Sequence, residues 1–106
     1  MRSLIAATGA VLALAGAAQP QETGSVAAGH ELARQVCAEC HAIEAHDPLS
    51  PHADAPPFRD VANQPEMTAL ALSVWFRTPH PTMPNFVLKD DETEDLIAFI
   101  LSLRTE

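Results

Sequence analysis

Both cysteines of this 106-residue chain fall in one five-residue string, Cys37-Ala38-Glu39-Cys40-His41. On helical or turn-like backbone, positions i, i+3 and i+4 project to one side, so two sulfurs and an imidazole face a common space. A disulfide across so short a loop removes little unfolded-chain entropy and does little to hold a fold together. The string therefore reads as a place where the chain grips something. The length leaves room for one small domain, which excludes a multidomain enzyme.

Hydrophobic residues make up 47% of the chain, but many of them sit in the first eighteen positions. Arg2 supplies a positive start, Leu4 to Leu14 is uncharged and rich in Ala and Leu, and Ala15-Gly16-Ala17-Ala18 offers the small residues a signal peptidase accepts. Residues 1–18 are thus expected to be an export signal and residues 19–106 the mature domain. The apolar run is about 15 residues, short of the ~20 needed to span a bilayer, so cleavage is favoured over a retained anchor. Cleavage after Ala18 leaves 88 of the 106 residues and removes Arg2, changing the net charge from −8 to −9. A domain of that size buries only roughly 60% of its unfolded surface and needs a further support. A prosthetic group would supply it.

The pattern predicts an all-α domain of three main helices joined by proline-rich loops. Ser25 is placed to cap a first helix, in which Gly29, Leu32, Ala33 and Val36 recur at core-facing spacing. Pro48, Pro51, Pro56 and Pro57 mark residues 47–60 as a loop with neither helix nor strand. A second helix is expected over 65–77, with Met67, Leu70, Ala71, Val74 and Trp75 on its apolar side. Pro79, Pro81 and Pro84 then hold 78–89 extended. Asp90 opens a third helix carrying Leu96, Phe99, Ile100 and Leu103 on one face. Its acidic early turns, Asp90, Asp91, Glu92, Glu94 and Asp95, complement the helix dipole and solubilise the surface; a docking patch for a basic partner is the competing reading.

Four chemistries compete for the Cys37–His41 string. Haem c uses the two thiols as thioethers and the adjacent imidazole as an iron ligand, and covalent attachment stops a small domain losing its cofactor. A zinc site would need Cys37, Cys40, His46 and His52, without the usual second C-x-x-C pair. A thioredoxin-like dithiol needs a βαβ scaffold that is not legible here. A plain disulfide leaves His41 and the thin core unexplained. Haem accounts for the most. An iron so held has a second axial position, and Met83, in Thr82-Met83-Pro84-Asn85-Phe86, is the methionine outside both the leader and the expected helices. His80 is its competitor. Met67 is assigned to core filling, and His30, His46 and His52 to the solvent.

The charge balance narrows the partners. Six basic against fourteen acidic side chains repel phosphate backbones, and no Lys/Arg stripe appears, which argues against nucleic acid.

Taken in order, Gly29 to His41, Ala55-Pro56-Pro57-Phe58, Thr82 to Phe86 and Asp95 to Ile100 resemble class I c-type cytochromes, most closely the short bacterial members with trimmed loops. The resemblance covers nearly all of residues 19–106. It implies a small cytochrome c fold around one haem c, attached through Cys37 and Cys40, with His41 and Met83 as axial ligands. It further implies that Gly29 and Phe99 meet where the first and last helices cross, and that the Pro56 carbonyl accepts the proximal imidazole N–H. Trp75 is either a donor to a haem propionate or plain core. The expected role is a monomeric periplasmic carrier of single electrons that is not an enzyme, with membrane contact only through an uncleaved leader. The alternative is a five-coordinate sensor or peroxidase-like protein with a displaceable Met83. The chain departs from the family in having one lysine, Lys89, and no tyrosine. Its redox partners are therefore expected to present basic docking surfaces.

Overall fold

A computed structural model describes residues 9–12, 16 and 23–105; apart from 9–12 and 16, the expected export signal at 1–18 lies outside them. The described residues form four helices and no strand: α1 (Val26–Val36), α2 (Phe58–Ala62), α3 (Ala69–Arg77) and α4 (Asp90–Ser102). No helix among them is long and apolar enough to cross a membrane.

Local chemistry sets the helix starts. Ser25 caps α1, its hydroxyl accepting the Ala28 N–H at 3.1 Å. Thr68 does the same for α3 through Ala71 N–H, also at 3.1 Å. At the start of α4 the Lys89 N–H donates to Glu92 Oε2 at 2.9 Å, so one of the expected acidic residues satisfies a helix-end donor directly. Asp95 is also occupied, accepting the Ser25 N–H at 2.7 Å and tying the entry of α1 to α4.

The α1–α4 crossing is the centre of the molecule. Gly29 is buried there, and a Cβ built on it would lie 1.9 Å from the Asp95 carbonyl oxygen and 2.8 Å from Phe99 Cβ. No larger residue fits without separating the helices, and the close approach offsets the ~1 kcal/mol that glycine costs inside a helix. Gly24 adds a second contact at φ +112°, its Cα facing the Glu94 carbonyl where a Cβ would sit at 2.4 Å. The core under this crossing joins Ala33, Ile43, Phe58, Ala62, Leu72, Leu96, Ile97, Phe99 and Ile100.

Three sequence expectations need correction. The 47–60 loop runs into a helix: Phe58 to Ala62 form α2, because Pro57, the residue before it, supplies a fixed φ suited to a helix entry. The helix expected from Pro65 starts instead at Ala69, because Glu66 adopts φ +66° and Thr68 provides the cap. That leaves Met67 ahead of the helix. The buried face of α3 is also rotated. Leu72 is its buried residue, with Phe76 one turn on packed against the core, while Leu70 is 73% and Val74 56% exposed.

The far end of α4 closes the fold. Arg104 donates through Nε to the Ala62 carbonyl at 3.0 Å and through its terminal nitrogen to the Met67 carbonyl. Asn63 Oδ1 accepts from Thr105 N–H at 2.8 Å. These bonds fasten the 62–67 turn, which forms one wall of the site.

Candidate haem site

The Cys37–His41 string leaves α1 as a turn. The Cys37 N–H still bonds Ala33 O at 2.8 Å, and the Cys37 carbonyl accepts both the Cys40 N–H at 3.2 Å and the His41 N–H at 2.9 Å. This is the turn-like backbone that brings i, i+3 and i+4 to one side. Cys40 is anchored further by His52 N–H, which donates to its carbonyl at 3.1 Å.

His41 is oriented from outside the string. Its Nδ1 lies 2.7 Å from the Pro56 carbonyl oxygen. A carbonyl only accepts, so Nδ1 carries the proton and Nε2 keeps its lone pair for a metal. The ring also leans on buried Phe58, with centroids 5.1 Å apart and planes at 46°. Phe58 is itself placed by its N–H, which donates to Ala42 O at 2.9 Å.

Two cavities lie in this part of the fold, and the smaller touches the string through Cys37. The smaller is lined by Cys37 and Val36 together with Trp75, Phe76, His80 and Met83. The larger, about 270 Å³, is bounded by Pro56, Met67, Leu72 and Ile100, with Trp75, Phe76, His80 and Met83 again on its wall. Met83 thus borders both spaces, one shared with Cys37 and the other with Pro56, the partner of His41. Met67 borders the larger one only and packs against the core.

The competing residues are otherwise engaged. His80 donates through Nε2 to the Trp75 carbonyl at 2.8 Å and stacks on the indole with centroids 3.9 Å apart. Trp75 is 54% exposed, so it is not plain core as one reading of the sequence had it. His30 departs from the solvent-facing expectation: it is half-buried, 2.6 Å from Glu44 and tilted against Phe99 with centroids 4.9 Å apart. His46 and His52 are exposed. Phe58, His80 and Arg104 were not assigned to the site as supports by sequence reasoning; the Pro56-Pro57-Phe58 run was the one local signal for any of them.

The geometry separates the four chemistries. Among the described residues no three His, Cys, Asp or Glu side chains converge on a metal position, so Cys37, Cys40, His46 and His52 do not assemble a zinc site. The two thiols are unbridged. Burial pushes the Cys37 thiol up to about 11, the opposite of the depressed value a redox dithiol needs. What remains is a C-x-x-C turn whose Cys37 lines a mostly apolar cavity, an imidazole held with its free nitrogen available, and a thioether on the wall of that cavity. These residues fit a porphyrin fixed through sulfur, which defines the class: a c-type haem protein.

Comparison with known proteins agrees. The cytochrome c family model matches residues 26–104. Cytochrome c-552 of Bradyrhizobium diazoefficiens is 38% identical over 94 residues, an overlap covering 89% of each chain. No solved structure matches. The chain belongs to the cytochrome c family, and as a c-type cytochrome it carries covalent haem c and transfers electrons.

Proposed function

We propose that residues 1–18 export the chain and are removed, and that residues 19–106 act in the periplasm as a monomeric, mono-haem carrier of single electrons with no catalytic turnover of its own. Cys37 and Cys40 form the thioethers. His41 and Met83 are the axial ligands. The observation that carries this reading is the bond between His41 Nδ1 and the Pro56 carbonyl at 2.7 Å, which fixes the tautomer and leaves Nε2 as the only ring nitrogen free to ligate.

When bound, haem supplies a one-electron iron couple. The chain does the rest by restraint. Phe58 and Pro56 hold the imidazole in one orientation, so little reorganisation accompanies a change of charge. The apolar wall of Leu72, Phe76 and Ile100 excludes water and, with thioether ligation, favours the less charged ferrous state. Trp75, half-exposed at the cavity edge, has its indole N–H available for a propionate. Were His41 and Met83 both to ligate the iron, no coordination position would be left for a substrate, which favours a carrier over an enzyme. The net charge of −8 favours encounter with partners that present a basic surface.

The test is the oxidised visible spectrum of the holoprotein. A red-region sulfur-to-iron charge-transfer band, lost in Met83→Ala, is expected. Its absence from wild type, with rapid carbon monoxide binding on reduction, would replace this reading with the five-coordinate sensor or peroxidase-like one.

A further inference from the structure

The segment that bears Met83 is weakly tied. Among the described residues, no backbone–backbone hydrogen bond engages positions 79–88. Proline at 79, 81 and 84 removes three of the donors. Of the described side chains in 79–88, His80 alone makes a hydrogen bond, donating from Nε2 to the Trp75 carbonyl at 2.8 Å. That carbonyl lies in the last turn of α3, where it also accepts the Thr78 N–H at 3.3 Å. The imidazole also lies nearly flat on the Trp75 indole, with centroids 3.9 Å apart and planes at 30°. Trp75, His80 and Met83 line the same two cavities.

From this arrangement we propose that His80 is a positioning residue for the iron–thioether bond. It fastens the Met83 loop to the end of α3 and keeps the sulfur from swinging away. The proposal rests on the reading that Met83 is an axial ligand. It gives His80 a task other than ligation. With Nε2 committed to Trp75, the imidazole acts on the loop and sets how often Met83 leaves the iron. Loss of one hydrogen bond and one ring stack raises the sulfur-off population by roughly tenfold to thirtyfold.

The experiment compares wild type, His80→Ala, His80→Gln, Met83→Ala and the His80→Ala/Met83→Ala double variant as purified holoproteins. The readouts are the amplitude of the ferric charge-transfer band and the rate of carbon monoxide binding to the ferrous form. His80→Ala is expected to weaken the band and to speed carbon monoxide binding by about tenfold or more. His80→Gln keeps an N–H donor of similar reach and should fall between wild type and His80→Ala. In the Met83→Ala background the His80 change should have no further effect, because its action passes through the thioether. A wild-type band and rate in His80→Ala, or a Gln variant as impaired as Ala, overturns the proposal. Should His80→Ala yield no holoprotein, a Gln variant whose carbon monoxide rate rises by less than about tenfold supports the latch, and a rise of about tenfold or more overturns it. A wild-type protein without the band instead overturns the ligand assignment beneath it.

Discussion

At the scale of single residues, the site is built from groups that the chain itself orients. His41 is held by a carbonyl from one side and an aromatic ring from the other. Phe58→Ala removes that ring and leaves a cavity beneath the imidazole, so it should destabilise the holoprotein by about 3–5 kcal/mol in denaturant titration. The two methionines on the larger cavity differ in role. Met67→Leu conserves volume and should keep the charge-transfer band with a stability change below ~1.5 kcal/mol, whereas any loss of that band would move the ligand assignment from Met83 to Met67. The turn that gathers Cys37, Cys40 and His41 was legible in the sequence, because the three are near neighbours in the chain and their spacing sets their geometry. The supports were not. Phe58 and Arg104 act across 15 or more residues of chain, on partners that only folding brings near.

At the scale of elements, the crossing of α1 and α4 organises the molecule. Replacing Gly29 by alanine places a methyl group against backbone that cannot rotate away, so Gly29→Ala should cost about 3 kcal/mol or more and lower the yield of holoprotein. A folded variant of wild-type stability would remove the crossing from its central place. Helix starts carrying a side-chain cap at the first polar residue, as at Ser25, or an acidic run, as at Asp90, were readable in advance. The start of α3 was not, since Glu66 in a left-handed backbone conformation carries no mark in residue type. The orientation of α3 was also hidden. Its residues are apolar on several sides, and which side is buried depends on how Leu72 and Phe76 meet α4 and the cavity. The short α2 lay behind a run of prolines that ends where a helix is able to begin.

At the scale of the whole molecule, a small core and a strong negative charge set the behaviour. Among the described residues Leu96 and Ile100 are the largest fully buried side chains of a cluster of nine buried apolar residues. The charge governs encounter. Electron transfer to a redox protein with a basic surface should slow by at least about tenfold as ionic strength rises from roughly 0.01 to 1 M, since the screening length falls from about 30 to about 3 Å. An acidic acceptor should show the reverse trend, and a flat response to both would remove the electrostatic account of partner choice. Overall charge and helical class were open to reading from composition and periodicity; the cavity that receives the cofactor exists only in the assembled fold. The most direct test of the central claim uses the chain's own cleavage sites. Trypsin cutting after Arg34 and Arg59 releases residues 35–59, which contain both cysteines. The account predicts that this one peptide is coloured, carries the mass of a single haem and retains it through denaturation and acidic organic extraction. A colourless peptide with free or mutually bridged cysteines would contradict it.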